Sequence, residues 1–505
     1  MEIKRVVNLI IMDFYYNGMD GYGDPRIVLE RDNFRLMHHL RKSVTVESFS
    51  QYIELVNSFH KTIDLNSTEI NINKEVIHIQ NPIAPNLNKL EILIAALPEG
   101  NFQKVFGFSV EHMRKIIECL ILRSIINLNL LIDNRNDVID DYQTLLGKHS
   151  NSFWFTIEDI VNICPTIPKD NIKAFFKLVS IDITKNDLDK DTQFLIYNVN
   201  EEYVLPYYAE FCNVLFSFIE KNIILNLTEL ETTRAEYSKL RGMHFEEMVY
   251  EMLASLIHNV HKNVQYVDLS KKKRELDVLV QKDDLFINFE CKSSAFNIFD
   301  WETDDLIKLK YRNAFGRTFE SIKALNDMQK SEKKIQIYDG KIGRSNCIFE
   351  QSLKNYDLIN VQVSLSPIEF IGTNLQYFDE NLSNYEVQPI VLSYVDFFII
   401  CYCYYQQPHL VLQYYRDRQH YLNRRKKIRL DIDEIDVFGM LTDEKNSKIK
   451  EYMEMGDGEI DMTFMIDNGI YRKTFTKALN NNTIGLMIEN QPHQFKNMYY
   501  RLLEV

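Results

Sequence analysis

The sequence predicts an α/β protein in which a mixed β-sheet is flanked by helices and preceded by a mixed, largely helical N-terminal domain. Between residues 232 and 375 the apolar patterns follow the order helix, strand, strand, strand, helix, strand. From about Leu90 to Asp133, apolar residues recur at spacings of three and four, which indicates helices. Changes of pattern predict three regions: 1–231, 232–388 and a C-terminal extension or accessory region, 389–505.

Composition and charge restrict the class of protein. Of the 505 residues, 45% are hydrophobic and 26% are charged, which predicts a globular protein with a sizeable core. The net charge of −14 argues against a protein that coats nucleic acid through its overall field, but a local basic cleft stays compatible with it. Seven scattered cysteines without zinc-site spacing, and the lack of a signal-peptide or membrane-span pattern, predict a cytoplasmic protein without membrane association.

The N-terminal domain begins with strand-like runs (VVNLIIM, EINI, VIHI) and then becomes helical, with a second helical stretch in PYYAEFCNVLFSFIEKNIILN. No residue pattern in it indicates chemistry. A long amphipathic helix is predicted in TTRAEYSKLRGMHFEEMVYEMLASLIHNV, with Phe245, Met248, Met252 and Leu256 on its apolar face. A strand, NVQYVDLS, and the basic run KKKR follow. Later come a largely helical segment, LIKLKYRNAFGRTFESIKALNDMQK, and the apolar strand LINVQVSLSPIEFIG.

The segment ELDVLVQKDDLFINFECKSS predicts a hairpin of two apolar strands around the polar break Lys282–Asp284. If Gln281 pairs with Leu285, Asp277 lies opposite Phe289 and beside Glu290, whereas a shift of one residue places Asp277 directly opposite Glu290. Glu290 and Lys292 are two residues apart, so they share one face of their strand.

Two neighbouring carboxylates at the end of a sheet are costly unless a cation compensates them. The ammonium of Lys292 neutralises only one of them, whereas a divalent metal neutralises both. Mg²⁺ prefers oxygen ligands and commonly uses one or two carboxylates together with a substrate phosphate. Such an ion activates water and stabilises charge on a phosphoryl group, so these residues suit metal-dependent phosphodiester hydrolysis.

Asp277, followed after twelve residues by Glu290-Cys291-Lys292, resembles the D…(D/E)-x-K signature of the PD-(D/E)XK, or restriction-endonuclease-like, nucleases. The upstream sequence GMHFE resembles the G-x-x-F-E pattern of that family's first core helix and ends at Glu246. The resemblance covers about residues 232–375. Leu276 stands where many members have proline, and the glutamine-tyrosine motif of RecB-like members is not evident, so the subfamily stays open.

The resemblance implies a restriction-endonuclease-like α-β-β-β-α-β core and a role for each site residue. Asp277, Glu290 and the backbone carbonyl of Cys291 would bind Mg²⁺ or Mn²⁺. Lys292 would position the attacking water or stabilise the phosphate. Glu246 would support the metal, with Glu247 as a rival for that role.

The function implied is that of a metal-dependent endonuclease that hydrolyses DNA, a bacterial defence or restriction-type effector whose N-terminal domain senses or targets. A homodimer or a partner protein docking on the N-terminal domain is compatible with this hypothesis. Two other hypotheses stay open, a non-catalytic nucleic-acid-binding or scaffold protein that reuses the fold, and a nuclease that acts on RNA. A purely structural interpretation also remains, in which Glu290 and Lys292 form an ion pair at a strand end.

Two basic segments are candidate nucleic-acid contacts. The first is Lys271, Lys272, Lys273 and Arg274, before the second strand of the predicted core. The second is YYRDRQHYLNRRKKIRL, which includes Arg424 and Arg425 and in which tyrosines alternate with basic residues. For each segment a solvent-exposed basic loop or helix face is an equally good interpretation.

Overall fold

The computed structural model describes residues 82–133, 154–182, 196–205, 208–293, 318–365, 389–420, 428–429, 434–443, 460–461 and 470–489. The strands predicted in the first 81 residues lie outside these ranges, and so do Arg424 and Arg425. Within these ranges, no helix is both long enough and apolar enough to cross a membrane.

The chain divides into two compact units. The first comprises Met1–Thr233 together with Asn480–Val505, and the second comprises Arg234–Leu479. Residues 389–479 of the C-terminal region therefore belong to the second unit. Their first strand, Ile390–Ser393, pairs in parallel with Asp357–Ser364 of that unit.

The first unit combines helices with a small sheet whose strands lie in the order Trp154–Phe155, Glu202–Val204, Ile196–Val199, Ser180–Asp182. Two of its helices fall where the apolar periodicity predicts them, α3 between residues 110 and 133 and α6 between 208 and 225. Aromatic rings from the helix Lys169–Val179 and from the sheet, among them Phe155, Phe176 and Tyr203, pack against one another in the core of this unit. The helices are α1 (Ile83–Ala95), α2 (Asn101–Phe106), α3 (Val110–Asp133), α4 (Ile157–Ile163), α5 (Lys169–Val179) and α6 (Tyr208–Leu225). The strands are β1 (Trp154–Phe155), β2 (Ser180–Asp182), β3 (Ile196–Val199) and β4 (Glu202–Val204).

The second unit is a mixed α/β structure built on a seven-stranded sheet. Its helices are α7 (Arg234–Leu256), α8 (residues 318–330), α9 (Tyr394–Cys403), α10 (His409–Arg418), α11 (Glu434–Thr442) and α12 (Ile470–Glu489, which continues into the first unit). The sheet strands are β5 (Val260–Val267), β6 (Lys273–Lys282), β7 (Leu285–Lys292), β8 (Lys334–Tyr338), β9 (Cys347–Ser352), β10 (Asp357–Ser364) and β11 (Ile390–Ser393). A 3-10 turn, Leu353–Asn355, precedes β10, and β12 (Ile428–Arg429) pairs with β13 (Ile460–Asp461).

The sheet has the strand order β11-β10-β7-β6-β5-β8-β9. Strands β7, β10 and β11 run parallel to one another, whereas the pairs β7–β6, β6–β5, β5–β8 and β8–β9 are antiparallel. Seven of the eight residues of β7 and of β10 are buried, as expected for central strands covered on both faces. The hairpin β8–β9 is inserted between α8 and β10 and has no counterpart in the predicted order of elements.

Helix α7 packs on the sheet through a stripe in which every fourth residue is buried. Phe245, Val249 and Leu253 are fully buried, and Tyr237 and Arg241 continue the stripe toward the N-terminus. The predicted apolar face is therefore wrong beyond Phe245, since Met248, Met252 and Leu256 are only partly buried. From Phe245, a spacing of four leads to the buried stripe through Val249, and a spacing of three leads to the predicted stripe through Met248. Only packing against the sheet selects between these two faces.

The helices after β11 bury several charged groups instead of exposing them. Arg418 donates to both carboxylate oxygens of Glu434 at 2.9 and 3.1 Å, and Tyr414 donates to the same carboxylate. Tyr414, Tyr415 and Arg418 are buried, so this part of the basic and aromatic segment is neither a nucleic-acid surface nor a solvated face, and both interpretations of it are wrong.

Replacing Glu434 with glutamine is expected to lower the free energy of unfolding by about 3–5 kcal/mol, because it removes the charged carboxylate that pairs with the buried guanidinium of Arg418. The side chains of Arg418 and Glu434 are only 4% and 2% exposed. Urea unfolding followed by circular dichroism measures the change. The matched control is Glu332→Gln, which breaks the exposed pair with Lys354 and is expected to cost less than about 1 kcal/mol. Equal losses of stability in the two variants would contradict the burial of the pair between Arg418 and Glu434.

Candidate active site

The turn of the β6–β7 hairpin sets the register of the candidate site. Lys282 pairs with Leu285 and Gln281 with Phe286, so only Asp283 and Asp284 form the turn. Asp283 has φ 53, a left-handed conformation that aspartate tolerates better than most residues. The predicted pairing of Gln281 with Leu285 is therefore wrong by one residue. Continued along the strands, the observed register brings Asp277 opposite Glu290, as the alternative register predicts.

Asp277 lies where the regular ladder of the sheet is interrupted on both sides. The pairing of β6 with β7 ends at Val278 and Phe289, and the backbone N–H of Cys291 instead donates to Oδ2 of Asp277 at 2.7 Å. On the other side, Asn263 of β5 lies across from Asp277 with φ 53, and the ladder omits this position. The carboxylate of Asp277 therefore accepts the hydrogen bond of the Cys291 N–H, in the region where the β6–β7 ladder has ended.

Glu290 and Lys292 form an ion pair at the C-terminal end of β7. Nζ of Lys292 lies 3.3 Å from Oε2 of Glu290, which agrees with their predicted placement on one face. Oε1 of the same carboxylate accepts a hydrogen bond from Oγ of Ser321 on α8 at 2.9 Å. Glu290 is almost fully buried, whereas the Lys292 side chain is 25% exposed and reaches solvent.

The neighbours of the two glutamates on α7 distinguish their roles. Both carboxylate oxygens of Glu247 accept from Nζ of Lys262 on β5 at 2.5 Å. Glu246 lies instead among Glu275, Lys292 and Glu290, whose charges act on its pKa. Gly242, one turn earlier, has no side chain, and a Cβ built there would lie 3.6 Å from Oγ of Ser293 and 4.0 Å from Oε1 of Glu246. Glu246 therefore faces the end of β7.

The carboxylates of the site carry more negative charge than Lys292 compensates. Burial, together with the charges of Glu290 and Glu246, raises the pKa of Asp277 well above its ordinary value. Burial and the negative charge of Glu275 raise the pKa of Glu246 to about 7. Burial alone would lower the pKa of Lys292, but Glu290 and Asp277 raise it above its ordinary value. The site thus holds the ammonium of Lys292 charged and favours protonation of Asp277 and Glu246 unless another cation is bound.

The donor set of Asp277 and Glu290 fits Mg²⁺, which commonly takes one or two carboxylates and completes its shell with water and substrate oxygens. Among the residues that the structure describes, no group of three or more His, Cys, Asp or Glu side chains is arranged to hold a metal ion. A metal at Asp277 and Glu290 therefore requires further oxygen ligands, such as water, a substrate phosphate or the backbone carbonyl of Cys291.

The basic run Lys271–Arg274 leads from a tight turn into β6, and Asp268 organises this turn. Its carboxylate accepts hydrogen bonds from Oγ of Ser270, the backbone N–H of Lys272 and Nε of Arg274. Burial opposes ionisation of Asp268, but these donors lower its pKa to about 2. Arg274 is thus held by an ion pair, whereas Lys271, Lys272 and Lys273 are exposed.

Sequence reasoning missed two residues of the site. Ser321 lies within the predicted helix, but a serine in a helical pattern carries no signal that it contacts a particular carboxylate. Glu275 is the neighbour that raises the pKa of Glu246 most, and its spacing of two residues from Asp277 was a signal that the sequence offered.

Glu246→Gln is expected to stabilise the metal-free protein at alkaline pH and to leave its stability nearly unchanged in acid. The pKa of Glu246 is about 7 in the folded protein against an ordinary value of 4.5, so the folded state binds an extra proton between these values. The stability of the wild type therefore falls as pH rises through this window, and glutamine, which does not titrate, removes that loss.

Urea midpoints in EDTA, compared from about pH 4 to about pH 8, measure the effect of Glu246→Gln. The control is Glu247→Gln, which removes a carboxylate that Lys262 compensates. An advantage of Glu246→Gln that is the same at all pH values, or one that Glu247→Gln reproduces, would contradict the placement of Glu246.

The structure brings the side chains of Asp277, Glu290, Lys292 and Glu246 to one end of the β6–β7 hairpin and keeps Lys271–Lys273 at the exposed start of β6. Comparisons of the chain with models of known protein families, with curated proteins and with solved structures give no match. The interpretation of the site therefore depends on the geometry and charge of its own residues.

Proposed function

We propose that this protein is a metal-dependent nuclease of the PD-(D/E)XK type that hydrolyses phosphodiester bonds in DNA. The observation that carries the proposal is the convergence of Asp277, Glu290 and Lys292 at the end of two buried strands, with Glu246 reaching them from α7. The order α7, β5, β6, β7, α8, β10 supports a restriction-endonuclease-like core, with the hairpin β8–β9 as an insertion.

In this proposal, Asp277 and Glu290 would hold Mg²⁺ or Mn²⁺, with the backbone carbonyl of Cys291 as a further ligand. The bound ion would supply a Lewis acid that activates water and compensates the charge that develops on the phosphoryl group. Glu246, whose pKa is raised by burial and by the negative charge of Glu275, would accept a hydrogen bond from a water held near the metal.

Lys292 has the properties required of a group that stabilises a pentavalent phosphate. Its ammonium is held charged by Glu290 and Asp277, and its side chain is partly exposed at the end of β7. A charged donor fixed before the substrate binds costs little reorganisation when negative charge develops on the phosphoryl oxygens. Lys292 therefore orients the attacking water or stabilises these oxygens.

The exposed lysines at and just before the start of β6 support a nucleic-acid substrate. Lys273 precedes Asp277 by four residues on the same strand, a distance of about 13 Å at 3.3 Å per residue. Such a distance corresponds to about four base pairs of duplex at 3.4 Å per pair. Lys271, Lys272 and Lys273 are therefore placed to bind backbone phosphates a few nucleotides from the bond that is cut.

Two other functions would give different results in a cleavage assay. A non-catalytic nucleic-acid-binding or scaffold protein would bind DNA without metal-dependent cleavage, and a ribonuclease would cut RNA and spare DNA. The first unit, for which the described residues carry no recognisable chemistry, serves in this proposal as a sensing or targeting domain for the nuclease.

Purified protein with Mg²⁺ is expected to nick or linearise supercoiled plasmid. Lys292→Ala is expected to lower the cleavage rate about 100- to 1,000-fold, because it removes the fixed ammonium that would stabilise negative charge on the phosphoryl oxygens. Asp277→Asn, which removes a metal ligand, and EDTA are expected to abolish cleavage. Gel electrophoresis of plasmid, single-stranded DNA and RNA, run in parallel, measures both rate and substrate class.

The matched control for Lys292→Ala is Lys334→Ala, which removes an exposed ammonium at the start of β8, away from the site. It is expected to cleave at the wild-type rate. Metal-dependent cleavage that Lys292→Ala leaves unchanged would overturn the assignment of the site. Absence of cleavage on all substrates, together with absence of Mn²⁺ binding, would overturn the proposed function.

Replacing Lys271, Lys272 and Lys273 together with alanine is expected to weaken binding to duplex DNA and to make it less dependent on salt. Each phosphate contact that is lost lowers the slope of log affinity against log salt concentration by about 0.9. Fluorescence anisotropy at several salt concentrations measures the slope. An unchanged slope would exclude these three lysines as phosphate contacts.

A further inference from the structure

We propose that Ser321 is a positioning residue that holds the carboxylate of Glu290 in the orientation required for metal binding. This inference depends on the proposed nuclease function and assigns a role to a helix, α8, from which the sequence predicted no site residue. Ser321 itself does not contact the metal or the substrate.

The two carboxylate oxygens of Glu290 have different partners. Oε1 accepts the hydrogen bond of Ser321 at 2.9 Å, and Oε2 lies 3.3 Å from Nζ of Lys292. The hydroxyl thus fixes rotation of the carboxylate about its last bond and directs Oε2 toward Lys292. A metal that binds Glu290 through Oε2 meets an oxygen whose position is set before binding, which lowers the cost of ordering it.

Helix α8 holds Ser321 rigidly because the helix is fixed to the strands of the site by apolar and polar contacts. Leu325 and Met328 lie in the buried core formed with β5, β6 and β7. Asn360 of β10 donates to Asn326 of α8 at 3.4 Å, and Asn288 of β7 donates to Asn360 at 3.4 Å. Asn288 is two residues before Glu290. Helix α8 is therefore joined to β7 at two points, through the amide chain that ends at Asn288 and through the hydrogen bond of Ser321 to Glu290.

Without the hydroxyl, the carboxylate of Glu290 can turn and offer both oxygens to Lys292. The ammonium then competes more strongly with the metal for the same ligand, and rotational freedom is lost when the metal binds. Hydrogen-bonding partners of metal ligands typically change metal affinity about 10- to 100-fold when they are removed. The same loss is expected here.

The test compares Ser321→Ala and Ser321→Thr with the wild type and with Ser331→Ala. Ser331 follows the same helix and donates to the backbone carbonyl of Met328, so its substitution is matched in chemistry but distant from Glu290. Isothermal titration of Mn²⁺ into each full-length protein gives the metal affinity, and thermal unfolding in EDTA reports any change in stability. The Mg²⁺ concentration for half-maximal plasmid cleavage is measured in parallel.

Ser321→Ala is expected to raise the Mn²⁺ dissociation constant and the half-maximal Mg²⁺ concentration by about 10- to 100-fold, with a much smaller change in the rate at saturating metal. Ser321→Thr, which keeps the hydroxyl, is expected to regain most of the affinity, and Ser331→Ala is expected to behave as the wild type. A purely structural role would lower the unfolding temperature in EDTA without this loss of affinity.

Wild-type metal affinity in Ser321→Ala, alongside clear binding by the wild type, would overturn the role of Ser321 and leave the proposed function standing. Failure of the wild type itself to bind Mn²⁺ or to cleave would overturn the proposed function, and the inference with it. The wild-type and variant measurements thus separate the two failures.

Discussion

The register of the β6–β7 hairpin is the constraint on which the candidate site depends. A two-residue turn with Asp283 in a left-handed conformation aligns Lys282 with Leu285 and thereby brings Asp277 level with Glu290. Because side chains alternate between the two faces of a strand, a slip of one residue would place Asp277 opposite Phe289 and turn its carboxylate to the face away from Glu290.

Negative charge beyond what Lys292 compensates is the second property that defines the site. Burial raises the pKa of Asp277 and Glu246, and the neighbouring carboxylates raise it further. By contrast, the buried pair of Arg418 and Glu434 joins opposite charges. An unbalanced buried cluster destabilises the metal-free fold and favours a bound cation, and such clusters occur preferentially where proteins carry out chemistry.

Two helices complete the site from outside the hairpin. Helix α7 presents Glu246 because its buried stripe runs through Phe245 and Val249, which leaves Glu247 to pair with Lys262. Helix α8 presents Ser321, and the chain of amides through Asn326, Asn360 and Asn288 ties this helix to the same strand that carries Glu290. Residues of β6, β7 and both helices therefore together fix the positions of the carboxylates.

The sequence by itself determined the order of the elements α7, β5, β6, β7, α8 and β10, because buried strands and amphipathic helices differ in the period of their apolar residues, but it did not indicate the β8–β9 hairpin. It also singled out Asp277, Glu290 and Lys292 as candidate site residues, since their charged side chains stand out against apolar neighbours. Only the tertiary structure decided the register, the inward face of α7, the contact of Ser321 with Glu290 and the burial of Arg418. Each of these depends on contacts between residues that are distant in the chain, and the energies of such contacts leave no periodic signal in the sequence.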